Sequence, residues 1–213
     1  EYNANGNLSK YREGKIDAQT RHFCNGSVVK DNHTFNCWIS GGHGHIDVVA
    51  ALEQSCDVFF YKVSEALGID AIARQAKNMG LGEITGIGLE GEKPGLMPSR
   101  AWKKATYGHA WYPGETLITA IGQGAVLATP LQLACMISAV ANGGRIFRPT
   151  FVPTSKDDLP PPTHLTSFSA THLALVRKGL TAVLHGKSGT ARQFKPEKVM
   201  AAGKTGTSQV VKH

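Results

Sequence analysis

Hydrophobic residues recur with a helical period between Ile46 and Leu67. The apolar positions are 49, 52, 56, 59, 60, 63 and 67, which would share one face of a helix. Gly68 follows directly and is typical of a helix end. The pattern therefore predicts one amphipathic helix over 46–67.

Capping signals predict three further helices. Thr129 is suited to an N-cap and Pro130 to the first turn that follows it. Asp70 and Ser169 are suited to the N-caps of two other helices, and Gly186 is suited to the end of the helix that Ser169 begins. The predicted ranges are 70–79, 131–141 and 169–184.

Extended structure is predicted in three places. Residues 145–152 and the β-branched run 199–211 suggest strands. The turn-rich stretch 25–36 suggests a hairpin. Glycine and proline are frequent over 80–116, which predicts a long irregular connection, and 154–162 is expected to be a surface connection. The elements do not alternate as βαβ units, so we expect an α+β fold with an antiparallel sheet.

Composition narrows the class of protein. The 213 residues suffice for one or two domains, and 41% hydrophobic with 18% charged residues is typical of a globular chain. The net charge is +7, but the lysines and arginines are scattered along the chain, so we expect no nucleic-acid partner. The positive charge is equally compatible with attraction to an anionic cell envelope or to an acidic substrate. The chain begins with Glu1, and we expect it to be part of a longer protein whose membrane anchor lies elsewhere.

The four cysteines leave alternatives open. Cys56 and Cys135 fall in helical patterns and are expected in the core. Cys24 and Cys37 flank the predicted hairpin, where a disulfide or two free thiols are favoured. The alternative is a structural zinc site, although the spacing fits no standard template. Its candidate ligands are Cys24, Cys37, Asp31 and His33, with His22 and His43 nearby.

A second chemical signal lies in the predicted last strand, at Lys204-Thr205-Gly206-Thr207. The lysine supplies a cation and the threonines supply hydroxyls, a combination that holds a carboxylate and a developing oxyanion. Glycine inside a strand often marks close approach by a ligand or another backbone. The alternative is an edge strand with a solubilising lysine.

Together with Ser55-Cys56-Asp57, this tetrapeptide resembles the penicillin-recognising serine enzymes, whose signatures are S-x-x-K, S-x-N and K-[ST]-G. The form ending in Asp is similar to the elongation-specific transpeptidases, the penicillin-binding protein 2 group. Six segments of the chain resemble the same group and occur in the same order as in it: 37–44, 52–60, 86–89, 98–102, 121–133 and 203–210.

The resemblance implies an antiparallel sheet with helices on both faces. It implies a peptidoglycan D,D-transpeptidase that cross-links stem peptides during cell elongation and is acylated by β-lactams. It further implies that the protein lies at the periplasmic face of the bacterial inner membrane and needs no cofactor. Its implied partners are proteins of the elongation complex, including a glycosyltransferase. Residues 11–213 would be a partial transpeptidase domain, and 1–10 would resemble the end of an N-terminal pedestal domain.

The resemblance also implies roles for residues. Ser55 would relay protons toward the leaving amine, and Asp57 would orient a catalytic lysine and the substrate amide. Lys204 would keep the site positive. Thr205 and Thr207 would bind the substrate carboxylate, with the Thr207 N–H completing the oxyanion hole.

The sequence departs from the family at its first signature. The only S-x-x-K is Ser27–Lys30, inside the predicted hairpin, where no helix presents the serine. We expect the true nucleophile segment to be missing between Lys10 and Tyr11, and this chain alone to be inactive. The doublet Lys187-Ser-Gly-Thr190 mimics the third signature, but a poor strand follows it. The third signature is therefore assigned to Lys204.

Three alternatives to a transpeptidase remain. A serine β-lactamase of class A would need an E-x-x-L-N motif, and no such string occurs. A non-catalytic sensor or scaffold of the same fold is compatible with the motifs. A basic envelope-binding domain is compatible with the charge alone.

Overall fold

The computed structural model describes residues 17–152 and 160–207. The predicted features at residues 1–16, 154–159 and 208–213 therefore lie outside the described residues. Within the described part, helices and short strands follow one another in this order: β1 His22–Cys24, β2 Ser27–Lys30, β3 His33–Asn36, β4 Gly44–Ile46, α1 Val48–Glu53, α2 Asp57–Leu67, α3 Ile69–Asn78, α4 Arg100–Tyr107, α5 Pro113–Ala120, α6 Pro130–Ala141, β5 Arg145–Ile146, β6 His164–Leu165 and α7 Ala170–His185, with a 3-10 turn at Arg192–Phe194.

The capping predictions for the later helices are confirmed. Thr129 Oγ1 accepts a hydrogen bond from the Gln132 N–H at 3.2 Å, and Gln132 Oε1 accepts one from the Thr129 N–H at 2.9 Å. This reciprocal capping box fixes the start of α6. Ser169 Oγ caps α7 with a single hydrogen bond, which it accepts from the His172 N–H at 3.2 Å.

The single helix predicted over 46–67 is wrong. Gln54, Ser55 and Cys56 interrupt it, and Ser55 has a left-handed φ of 56°. Residues 46 and 47 precede α1, and Ile46 belongs to β4. The helix predicted from Asp70 starts one residue earlier, so Asp70 lies in its first turn and is not its cap.

The irregular connection predicted over 80–116 contains the helix α4 and the start of α5. Ser99 Oγ caps α4 by accepting the Trp102 N–H at 3.1 Å. Pro113 opens α5, whose Glu115 accepts the Tyr112 N–H at 2.9 Å. Local capping therefore forms both helices despite the surrounding glycines.

The strands form three small antiparallel pairs, β1–β4, β2–β3 and β5–β6, in the described residues. The α+β class is confirmed, but a single extended sheet is not seen in this part of the chain. The predicted hairpin is confirmed, with Asp31 and Asn32 at positive φ in its turn, as a two-residue type I′ connection requires. The strand predicted over 145–152 is limited to Arg145–Ile146. Residues 199–207 of the predicted last strand are irregular.

Two hydrophobic clusters hold these elements together. The larger joins the β1–β4 and β2–β3 pairs to α1, α2 and α5. The smaller joins α6, α7 and β5 to Met79, the residue that follows α3. Helix α7 also packs closely on α1, because Gly179 leaves room for the Leu52 side chain. Among the described residues, no helix has the length and apolar character needed to cross a membrane.

Candidate active site and cysteine cluster

The break between α1 and α2 brings Ser55 to the surface of the site. The Gln54 and Cys56 N–H groups donate to the Ala50 and Ala51 carbonyls at 2.9 and 3.0 Å. Between these two residues, the backbone of Ser55 adopts the left-handed conformation, which costs an L-residue roughly 1–2 kcal/mol. Strain of this kind is often found where a side chain has a function.

The Ser55 hydroxyl is met by Lys204 from the far end of the chain. Lys204 Nζ donates to Ser55 Oγ at 2.6 Å and to Thr205 Oγ1 at 3.2 Å. The Gly203 N–H donates to the Leu180 carbonyl at 3.1 Å, which anchors this segment on α7. Partial burial lowers the pKa of Lys204, and the negative charge of Asp57 acts in the opposite direction.

Trp38 connects both sides of the break. Its backbone N–H donates to Asp57 Oδ2 at 3.1 Å, and its indole Nε1–H donates to the Gln54 carbonyl at 2.9 Å. The two bonds orient the Asp57 carboxylate and hold the residue that precedes Ser55. No pattern in the sequence predicted this role for Trp38.

A cavity of about 680 Å³ joins these groups. Its lining includes Ser55, Asp57, Thr205 and Thr207, so the structure brings together the predicted residues of the second and third signatures. Gly206 faces open space, because a methyl group there would contact no described atom within 4 Å. Close approach of a ligand to Gly206 stays a prediction.

The S-x-x-K string at Ser27–Lys30 is not part of this site. Ser27 and Lys30 are the ends of β2, and residues three apart in a strand point to opposite faces. Lys30 Nζ forms a 3.0 Å ion pair with Glu65. This pair therefore cannot work as a nucleophile and its base.

A second cluster lies directly behind the break. One ligand atom from each of Cys24, Cys37, His43 and Cys56 lies within 4.8 Å of the others. The three cysteines are almost completely buried and are free thiols. The sequence placed Asp31 and His33 among the metal candidates, but both are exposed at the hairpin turn and outside the cluster. Cys56, predicted only as a core residue, belongs to it, whereas Cys135 is partly exposed elsewhere.

The four side chains of the cluster could hold a metal ion. Three sulfurs and one imidazole are a common zinc ligand set, and bonds of about 2.0–2.3 Å place the ligand atoms about 3.5–4 Å apart. His43 Nδ1 lies 3.5 and 3.6 Å from the sulfurs of Cys24 and Cys37. Burial lowers the pKa of His43, which favours the neutral imidazole that binds metals. Burial also raises the pKa of Cys37 and Cys56, so these thiols stay protonated unless a cation compensates.

Comparison with known proteins agrees with this geometry. The model of the family "Penicillin binding protein transpeptidase domain" matches residues 8–213, and the chain belongs to that family. Within it, the chain is 36% identical over 184 residues to the peptidoglycan D,D-transpeptidase MrdA of Salmonella typhimurium, covering 81% of this chain and 29% of that protein. MrdA of Haemophilus influenzae is 33% identical, with 93% and 32% covered. The chain thus spans about a third of the length of these relatives.

Solved structures show the same fold. PBP2 of Pseudomonas aeruginosa in complex with WCK 5153 superposes with a TM-score of 0.84 at 36% identity, covering 95% of this chain and 48% of that one. PBP2 of Helicobacter pylori in complex with MreC gives a TM-score of 0.85 at 32% identity, with 95% and 38% covered. A peptidoglycan synthase complex described as coordinating polymerization and crosslinking gives 0.79 at 35% identity, with 93% and 34% covered.

Proposed function

We propose that the chain is the part of a peptidoglycan D,D-transpeptidase that binds the donor stem peptide and moves protons around it. The observation that carries the proposal is the 2.6 Å hydrogen bond from Lys204 Nζ to the Oγ of Ser55, which lines the cavity. A cation bonded to a serine hydroxyl, next to threonine hydroxyls, suits a site that handles a carboxylate and a proton together.

In the complete enzyme, a serine from outside the described residues would attack the D-Ala-D-Ala carbonyl, and its own lysine would accept the proton. Ser55 would pass a proton to the leaving D-alanine, held by Lys204. Asp57, fixed by the Trp38 N–H, would orient the catalytic lysine and the substrate amide. Thr205 and Thr207 would bind the terminal carboxylate, and the Thr207 N–H would complete the oxyanion hole. An amine from a neighbouring strand would then resolve the acyl-enzyme.

The relatives suggest the setting. We propose that the parent protein acts at the periplasmic face of the inner membrane during cell elongation. Its partners would be elongation-complex proteins, including a glycosyltransferase, since similar structures are described with MreC and in a peptidoglycan synthase complex. β-Lactams would acylate the same serine, because they imitate the D-Ala-D-Ala terminus.

Intact mass before and after incubation with fluorescent penicillin tests this function. The parent protein should gain one adduct, whereas a chain with only these 213 residues should gain none. In the parent, Lys204→Ala should slow acylation by about 100-fold or more, since it removes the cation and the proton partner of Ser55. Lys187→Ala is the matched control and should not slow it. Labelling of the 213-residue chain would contradict the division of roles, and nitrocefin turnover would favour a β-lactamase.

We also propose that Cys24, Cys37, His43 and Cys56 bind one structural zinc ion. Three adjacent thiols in an oxidising periplasm would otherwise be open to disulfide formation. Metal analysis should find one zinc per chain, and cobalt(II) should give thiolate charge-transfer absorption. Cys56→Ala should reduce the bound metal strongly, and Cys135→Ala, outside the cluster, should not. One metal per chain in both variants would contradict this ligand set.

A further inference from the structure

The loop 187–190, whose sequence imitates the third signature, is hydrogen-bonded to the end of α1 beside the site. The Thr190 N–H donates to the Glu53 carbonyl at 3.2 Å, and the Ser188 N–H donates to Glu53 Oε1 at 2.9 Å. Glu53 is the last residue of α1, two positions before Ser55. The loop is therefore attached to the helix end from which Ser55 departs.

This attachment brings the Thr190 side chain into the cavity. Thr190 is one of its lining residues, and Thr190 Oγ1 lies 3.1 Å from Thr205 Oγ1. The Ala191 N–H donates to the Val183 carbonyl at 3.0 Å and holds the following residue against α7. The backbone of Thr190 and of the residue after it is thus held by hydrogen bonds before any ligand binds.

The two hydroxyls form an ordered pair beside a cation. Thr205 Oγ1 accepts a hydrogen bond from Lys204 Nζ at 3.2 Å, so its own hydrogen is free for Thr190 or for a ligand. Two hydroxyls 3.1 Å apart can each donate to one oxygen of the same carboxylate. Paired donation to a charged acceptor is stronger and more selective than a single hydrogen bond.

We propose that Thr190 is a second hydroxyl donor to the terminal carboxylate of the donor peptide, acting beside Thr205. This inference rests on the proposed function and adds to it a residue outside the three signatures. Glu53 is then a positioning residue, because it acts on the substrate only through the loop that carries Thr190.

The test compares an N-acetylated peptide that ends in D-Ala-D-Ala with the same peptide bearing a C-terminal amide. Affinities for the 213-residue chain are measured by NMR titration, and the ratio of the two isolates the contribution of the carboxylate. Wild-type chain should prefer the acid. Thr190→Val keeps the side-chain shape without the hydroxyl and should reduce this preference about tenfold, leaving the affinity for the amide unchanged.

Two control variants complete the design. Thr190→Ser retains the hydroxyl and should keep the preference, and Thr171→Val removes an exposed hydroxyl of α7 and should have no effect. An unchanged preference in Thr190→Val overturns the role of Thr190 alone. Equal losses for both peptides would show a purely structural role and overturn it as well. A wild-type chain without preference would overturn the carboxylate site of the proposed function and this inference together.

Discussion

Ser55 combines an unfavourable backbone conformation with a polar side chain, and substitutions can separate the two. Its φ of 56° favours glycine. Ser55→Gly and Ser55→Ala both remove the hydroxyl that accepts from Lys204, but only glycine relieves the strain. We expect the glycine variant to be more stable than the alanine variant by about 1 kcal/mol.

Urea unfolding measures that difference, and penicillin labelling of the parent measures the chemistry. Both variants should be similarly slow in labelling, because neither has a proton to relay. Equal stability would mean that Ser55 is not strained, and normal labelling of either variant would remove Ser55 from the proton path.

Lys204 predicts a pH dependence for carboxylate binding. Burial lowers its pKa from the ordinary 10.5, and only the ammonium form attracts a carboxylate. The preference for acid over amide peptide should therefore be full at neutral pH and lost as the pH rises through this lowered pKa, earlier than for an ordinary lysine. The affinity ratio is measured from about pH 7 to about pH 11.

Lys204→Arg is the matched control, since guanidinium stays charged across this range. Whatever its size at neutral pH, the preference of Lys204→Arg for the acid over the amide peptide should not decline below about pH 11. A parallel decline in both proteins would assign the pH dependence to another group.

At the scale of elements, the contact between α1 and α7 supports the position of Ser55. Gly179 lies where α7 meets Leu52, and a side chain there would overlap Leu52. Gly179→Val should destabilise the chain by about 1–3 kcal/mol through overpacking. Ala174→Val, on the exposed face of the same helix, should cost well under 1 kcal/mol. Thermal or urea unfolding compares them, and equal losses would show that helix propensity, not the contact, is responsible.

Elements with strong local signals were predictable, and those set by distant contacts were not. Thr129-Pro130 and Ser169 carry their caps within three residues, so α6 and α7 follow from the sequence. The break before α2 is hidden because it is only three residues long and Cys56 continues the apolar period through it. Helix α4 has a clear cap at Ser99, but frequent glycines nearby hid it.

The site was partly predictable for a related reason. Ser55, Asp57 and Lys204 belong to signatures that the sequence displays, whereas the contact of Thr190 with Thr205 depends on how the loop 187–190 docks on α1. The cysteine cluster is similar, since its ligands come from separate elements and no local spacing marks them.

For the whole molecule, the cysteine cluster connects the end of β1, the segment between β3 and β4, and the helix break before α2. Removing the proposed zinc ion with a strong chelator should therefore lower the thermal midpoint by several degrees or more, since metal-binding free energy adds to folding free energy. Re-addition of zinc should restore it. Cys135→Ala should respond like wild type, and Cys56→Ala should be low from the start and insensitive to the chelator. An unchanged midpoint in the wild-type chain would contradict a structural metal.

The bond between Lys204 and Ser55 spans 149 positions of the chain, which has a consequence for biogenesis. At about 5–20 residues per second, a ribosome makes Lys204 roughly 7–30 s after Ser55. Until then the growing chain has the serine without its cation, and long-range contacts of this kind form late in folding. The hydrogen bond between Ser55 and Lys204 can therefore form only after residue 204 has been made, when nearly all of the described chain is already present.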